Sequence, residues 1–234
     1  MWFLGGGPGA AELLTVRAAK AIAAADVVIW GSELLMDGVV VDHAREDARL
    51  VPWPPATMSD IYEVYARARE DDLIVARLYW GDPAIFGAVR DEAHEVAQRG
   101  VPYEVVPGVS SLGAAAAALG LELTTAPGGS PPLILAAAHD DAPPDLRVRE
   151  LARHGATMAL FMAGGRMAEL QEELLAGGFA PDTPCAVAER LSWPDERLLR
   201  CRLEDLAVAA GQREPGRHTL VLVGPALAAR RPGP

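Results

Sequence analysis

The groups best placed to do chemistry lie in Arg77-Leu78-Tyr79-Trp80-Gly81-Asp82-Pro83-Ala84-Ile85-Phe86-Gly87-Ala88. Gly81 leaves its main chain open to an approach that a Cβ would block, and Asp82 adds a carboxylate next to it. Asp82 is placed to cap a helix, with Pro83 in the first turn. The apolar, β-branched run Leu73 to Leu78 leads in and reads as a buried strand, while Phe86, Val89, Ala93 and Val96 share one helical face beyond it. A strand, turn and helix in this order set backbone N–H groups and a carboxylate at the carboxyl edge of a sheet, where open α/β folds take their ligands. A plain β-to-α connection needs the same residues, so the neighbouring segments decide between the two.

The chain opens on a second glycine turn. Trp2 to Leu4 enters Gly5-Gly6-Gly7-Pro8-Gly9-Ala10, and Ala11 to Ala25 reads as a helix with Leu14, Ala18, Ala21 and Ile22 on one side and Arg17 and Lys20 in solvent. Asp26 to Trp30 is a second strand. Gly5-x-Gly7-x-x-Ala10 satisfies the looser dinucleotide fingerprint, and Glu33 falls where a ribose-binding acid would stand. Two residues argue against a dinucleotide. Pro8 removes an N–H from the turn that would cradle pyrophosphate, and Thr15 begins a polar stretch suited to a later helix start. An NAD-dependent oxidoreductase is therefore the weaker reading.

These turns need elements to hold them. Residues 36–59 read as irregular, with Pro52, Pro54 and Pro55 keeping the middle out of a helix. Ile61, Val64, Tyr65 and Ala68 mark a helix, Tyr103 to Val106 a strand closed by Pro107-Gly108, and Ser110-Ser111 the start of an alanine-rich helix to Leu119. Pro127-Gly128-Gly129-Ser130-Pro131-Pro132 is the best linker candidate. After it come an apolar run Leu133 to Ala137, a helix ending near His154, a strand Thr157 to Met162, and a helix through Met167, Leu170 and Leu174 that Gly177-Gly178 can end. Cys185 to Glu189, Arg197 to Arg202 and Thr219 to Val223 complete the strands. The pattern predicts an α/β protein of two α/β domains, residues 1–109 and 110–234, with a cleft between them.

Composition narrows the function classes. The 234 residues are half hydrophobic, enough for an ample core, and carry 21 Lys and Arg against 32 Asp and Glu, a net charge of −11. That balance opposes general nucleic-acid binding. It leaves room for an anionic small ligand, since charges are screened over about 8 Å at physiological salt and local arginines can dominate a pocket. Cys185 and Cys201 lie far apart without a CxxC or Cys/His cluster, which predicts reduced thiols and no metal site. The first residues lack the layout of a secretory signal and no apolar run suffices for a membrane span, so the expectation is a cytoplasmic protein with no membrane partner.

Taken together, GGGPGAAELLTVRAAKAIAAADVV, RLYWGDPAIFGA, YEVVPGVSSLGAAAAALG and TPCAVAERLSWPDERLLRCRLEDL resemble the tetrapyrrole methylase family. The resemblance runs in order through most of the chain. It implies a two-domain α/β methyltransferase that uses S-adenosyl-L-methionine, forms a homodimer and acts on a small tetrapyrrole. Within the family, the short length, PGVSS and SWPDER look most like the members that methylate a corrin precursor at ring carbon 11 in cobalamin biosynthesis, with or without cobalt in the ring. The resemblance also implies which residues meet the cofactor: Pro8, Gly81 and Asp82, flanked by Ile85 and Phe86; the pair Ser110 and Ser111; Met162 at its strand end; and the small strand residues Ala186 and Thr219. Left to themselves these are ordinary strand, cap and core residues.

The implied chemistry asks little of side chains, because a sulfonium already carries a good leaving group and a reduced tetrapyrrole carbon is already nucleophilic. No Ser/His/Asp set or carboxylate pair stands out, so no catalytic residue is named, and His43, His94, His139, His154 and His218 are scattered. Arg77, Arg90, Arg166, Arg190 and Arg197 are candidates for the acetate and propionate arms of the acceptor. The chain departs from the family pattern at Phe86, where a tyrosine is usual, at Trp80, where a small polar residue is common, and at Asp140 and Asp141, where a cation is expected. Another acceptor for the same fold and a non-catalytic ligand-binding relative are the alternatives.

Overall fold

Short apolar runs of the first half become five strands: β1 (Trp2–Gly5), β2 (Val27–Gly31), β3 (Arg49–Trp53), β4 (Val75–Tyr79) and β5 (Glu104–Val106). The computed structural model describes residues 1–33, 35–139, 142–210 and 219–228, and divides the chain into two units, Met1–Ser111 and the residues from Leu112 onward. In the first unit the strands lie in the order β3-β2-β4-β1-β5 and every ladder is parallel. Parallel neighbours need crossovers. Helices α1 (Val16–Ala24), α2 (Gly38–Val41), α3 (Met58–Glu70) and α4 (Val89–Gln98) lie on them.

The crossover leaving β1 passes β4 to reach β2, whereas the one leaving β4 passes β1 to reach β5. Right-handed connections running in opposite directions put their helices on opposite faces. Side-chain alternation along the strands follows suit. Phe3, Val27, Ile29 and Val75 pack with Ile61, Val64 and Tyr65 of α3 and Ala93 and Val96 of α4. Leu4, Val28, Trp30, Ala76 and Leu78 pack with Ala18 and Ile22 of α1 and Val39 and Val40 of α2.

Several sequence expectations need correction here. The helix expected from Ala11 is a 3-10 turn, Ala11–Leu13, followed by α1, which starts at Val16 because the Thr15 hydroxyl accepts from Ala18 N at 3.2 Å. The supposedly irregular residues 36–59 contain α2 and β3. Pro52 sits inside β3 without penalty because β3 is an edge strand, paired only with β2. Arg77 is not available to a substrate. Its guanidinium is buried beneath the sheet, donating from Nε and Nη2 to Glu92 of α4 at 3.0 and 3.2 Å, and lies over the rings of Trp53 and Tyr79. The Tyr65 hydroxyl also donates to Glu92. Burial lowers the Arg77 pKa, and the Glu92 carboxylate more than offsets that, so the group stays charged. Burial, then the Glu92 charge, pushes the Tyr65 hydroxyl up.

The second unit carries α5 (Ser111–Leu119), whose first residue closes the first unit, then β6 (Leu133–Ala137), α6 (Val148–Ala152), β7 (Thr157–Phe161), α7 (Met167–Ala176), β8 (Pro184–Glu189), β9 (Arg197–Arg202), α8 (Leu206–Ala210) and β10 (Thr219–Val223). Its sheet is mixed, in the order β6-β7-β10-β8-β9. Only β6 and β7 are parallel. Met158, Leu160, Val187, Val221 and Val223 face Leu170 and Leu174 of α7 and Leu206 of α8. α7 ends as foreseen, with Gly178 left-handed and Phe179 N closing onto Leu174 O at 3.2 Å. The Pro-Gly segment 127–132 lies inside this unit, where Ala126 and Gly129 bond to each other across a turn. The two cysteines, distant in sequence, are direct cross-strand partners on β8 and β9; both are free thiols, and burial pushes the Cys185 thiol up. Among the described residues no helix is long and apolar enough to cross a membrane.

The Arg77–Glu92 pair gives a stability test. Glu92→Ala strands a buried guanidinium and is expected to cost about 3–5 kcal/mol in urea unfolding, whereas the double change Arg77→Met with Glu92→Leu is expected to cost less, about the 1–3 kcal/mol of leaving the Tyr65 hydroxyl without its acceptor.

Candidate functional site

β1 and β4 are neighbours whose crossovers leave in opposite directions, and open sheets form a crevice at the carboxyl ends of such a pair. The loops after these strands meet there and are tied by main chain. Gly6 N donates to Tyr79 O at 2.7 Å, Gly7 N to Gly81 O at 3.3 Å, and Gly81 N to Gly7 O at 2.8 Å. The Trp80 indole Nε1 donates to Pro8 O at 3.0 Å.

A third loop, following β5, joins through Asp82. Its Oδ2 accepts from Gly108 N at 3.1 Å and its Oδ1 from Ala84 N at 2.7 Å. Asp82 thus clips two turns together rather than capping α4, whose N-cap is Ala88, and Pro83 belongs to the turn. A carboxylate has about four lone-pair sites, so further acceptance remains open to it. The loops also touch without side chains: a Cβ on Gly5 would lie 2.4 Å from Gly108 Cα, and one on Gly108 would lie 2.2 Å from Gly81 O. Gly81 is left-handed, at φ +68°, and a Cβ there would sit 3.7 Å from Ser110 Cα and Ser111 N.

The structure therefore brings Pro8, Gly81, Asp82, Ile85, Phe86, Ser110 and Ser111 to one edge of the parallel sheet. Pro8 and Ser111 are buried, Ser110 and Ile85 half-buried, and Ile85 N donates to Asp82 O at 3.1 Å. Phe86 is not on the helical face that its spacing predicts. It precedes α4, left-handed at φ 56° and 46% exposed. Ala88 is left-handed as well. Side-chain residues held there carry strain of order 1–3 kcal/mol, which collects at ligand-binding loops.

Met162, Ala186 and Thr219 belong to the second unit. Met162 follows β7 in a left-handed conformation, φ 57°, and is 41% exposed. Thr219 opens β10, is buried, and accepts from Ala163 N through its carbonyl at 3.1 Å. Because β10 runs against β7 and β8, Met162, Thr219 and Glu189 share one edge of the mixed sheet. Ala186 lies deeper along β8, opposite Leu222, and is fully buried.

On the first unit's edge, sequence reasoning missed Gly108, for which the Pro-Gly that closes β5 is the signal, and noted Trp80 for its bulk without its bond to Pro8. In the second unit it read Glu189 only as a strand end; its Oε2 accepts from Arg197 at 3.2 Å while its buried Oε1 has no partner among the described residues. The remaining arginine candidates are all engaged with acids. Arg190 reaches Asp195 at 2.7 Å and stacks 3.9 Å from the Trp193 ring centre, Arg166 reaches Glu169 and Ala138 O, and Arg90, almost fully exposed, reaches Asp91. Asp140, Asp141 and His218 lie outside the described residues. No cluster of His, Cys, Asp and Glu among the described residues could hold a metal ion.

The family model for Tetrapyrrole (Corrin/Porphyrin) Methylases matches residues 1–207. The chain belongs to this family. It is 36% identical over 231 residues to a precorrin-4 C(11)-methyltransferase of Pseudomonas aeruginosa, covering 98% of this chain and 91% of that protein. Among solved structures, a cobalt precorrin-4 methyltransferase superposes with a TM-score of 0.90 at 29% identity, covering 97% of this chain and 95% of that one. The uroporphyrin-III C-methyltransferase of Thermus thermophilus in complex with S-adenosylhomocysteine gives 0.78 at 32% identity, over 97% and 98% of the two chains.

The glycine contacts make opposite predictions for the same substitution. Gly108→Ala meets main chain on two sides and is expected to lose about 1–3 kcal/mol by overpacking. Gly113→Ala, inside α5 with nothing within 4 Å, is expected to gain about 0.5–1 kcal/mol. Paired urea titrations check both.

Proposed function

We propose that the chain is an S-adenosyl-L-methionine-dependent C-methyltransferase acting at ring carbon 11 of precorrin-4 or cobalt-precorrin-4 in cobalamin biosynthesis. One observation carries the choice of acceptor. Identity to the cobalt precorrin-4 and uroporphyrin-III enzymes is nearly the same, 29% and 32%, yet the backbone follows the first at a TM-score of 0.90 and the second at 0.78.

The residues present fit the cofactor. The space beside Gly81 that a Cβ would fill faces the start of α5, and the three surrounding loops are held by main-chain bonds and by Asp82. In the first unit Pro8, Gly81, Asp82, Ile85, Phe86, Ser110 and Ser111 would hold it; in the second, Met162, Ala186 and Thr219 would. When bound, S-adenosyl-L-methionine supplies an electrophilic methyl group on a sulfonium. The work left to the protein is alignment and exclusion of water, which contributes on the order of 7–11 kcal/mol when donor and acceptor are held in line. Preformed turns suit that work. Their groups are fixed by Gly6–Tyr79 and Gly7–Gly81 bonds before any ligand arrives, so little ordering is left to do on binding. Phe86, exposed and apolar on the first unit's edge, is suited to shielding a bound ligand from solvent.

Incubation with methyl-labelled S-adenosyl-L-methionine and precorrin-4, cobalt-precorrin-4 or uroporphyrinogen III tests the reading. Label at carbon 11 of a precorrin-4 form is expected, and transfer to uroporphyrinogen III alone overturns the assigned acceptor. For the cofactor site, Gly81→Trp is expected to abolish S-adenosylhomocysteine binding in calorimetry while the protein stays soluble. Unchanged affinity counts against the site.

A further inference from the structure

Main-chain bonds from Gly6 to Tyr79 and between Gly7 and Gly81 tie the loop after β1 to the end of β4 and the turn beyond it. A side chain joins them, the indole N–H of Trp80 donating to the Pro8 carbonyl. We infer that Trp80 is a positioning residue that holds the glycine loop in its ligand-binding shape. The bond itself stands on geometry alone; its consequence for S-adenosylhomocysteine rests on the function proposed above.

The loop needs such a residue because of its own composition. Gly5-Gly6-Gly7-Pro8-Gly9 is the most glycine-dense stretch of the chain, and glycine loses more conformational freedom on ordering than any other residue. Main-chain bonding to the β4 turn runs through the Gly7–Gly81 bridge. Pro8, next in line, has no N–H with which to add a donor. What Pro8 retains is its carbonyl, and a side chain 72 residues away reaches it.

Trp80 is itself held on a fixed base. Tyr79 O accepts from Gly6 N, and Gly81 exchanges two bonds with Gly7, so the backbone on both sides of Trp80 is pinned. The ring packs, partly buried, against the apolar layer that includes Leu4, Leu35 and α1. A rigid aromatic side chain with two torsions loses little freedom in taking this pose. The indole therefore works as a latch: its body is buried against one layer of the core and its polar edge closes the glycine loop.

Trp80→Phe keeps an aromatic ring on the apolar layer, smaller than the indole, and removes the donor. In the ligand-free variant, amide hydrogen exchange over residues 5–14 is expected to speed up about 5-fold, while exchange over α7 and the melting temperature stay close to the unaltered protein. Calorimetry is expected to show S-adenosylhomocysteine binding about 5–10-fold weaker, within the range of one net hydrogen bond. Leu170→Ala, a core truncation in the second unit, serves as the control: it lowers the melting temperature and leaves that affinity unchanged. Unaltered loop exchange in Trp80→Phe overturns the latch. Faster exchange with unchanged affinity overturns its role in binding, as does equal weakening by Leu170→Ala. Absence of S-adenosylhomocysteine binding to the unaltered protein overturns the proposed function instead, and the exchange comparison then still decides for or against the latch.

Discussion

Main chain packed directly on main chain at Gly5, Gly81 and Gly108 is the constraint from which the rest of the first unit's ligand-binding edge follows. Any side chain at Gly5 or Gly108 would enter another loop's backbone. Only with Gly5 and Gly108 bare can the ends of β1, β4 and β5 close together, so that the Gly7–Gly81 bonds and the Asp82–Gly108 contact form. The edge is accordingly built of amides and carbonyls, with side chains in supporting roles. That construction suits a transfer reaction whose donor is already activated, where the barrier falls by alignment more than by proton transfer.

Much of the fold was legible because buried strands leave compact apolar runs, and LIVARL, DVVIW and TLVLV all became strands. The helix faces of α3 and α7 followed from spacing in the same way. Periodicity failed where a backbone conformation, not a side chain, ruled. Phe86 sits at helical spacing from Val89, yet Gly87 packs on Pro83 and the residues on either side of it are left-handed, so α4 begins later. Pro52 misled for a related reason, since its cost in a strand depends on whether the strand is at an edge. The Arg77–Glu92 pair left a trace that went unused: a lone cation inside an otherwise apolar strand, and a carboxylate three residues from Val89 on the buried face of α4. The glycine loop, the Gly-Asp-Pro turn and Ser110-Ser111 stood out as segments from their residue types, and the family resemblance assigned them to a cofactor. That Trp80 and Gly108 join them was not visible, because those contacts span 72 and 26 residues of chain.

The charge balance takes on a clearer meaning in the structure. Lys20 is the lone lysine, and the other cations are arginines. Many of them are spent on internal pairs: Arg77 with Glu92 under one sheet, Arg197 with Glu189, Arg190 with Asp195. The planar, multiply donating guanidinium suits this use better than a point charge. A net charge of −11 thus coexists with fixed local cations at the edge where β8 gives way to β9.

One consequence follows from the opposed crossovers of β1 and β4. The loop after β1 continues into the helical layer on one face of the sheet, and the loop after β4 into the layer on the other. The Gly7–Gly81 ribbon is thus a seam stitching both coats of the sandwich across its rim. Whatever settles on that rim stiffens both coats at once, so occupancy there should register as slower opening in elements far from any ligand atom.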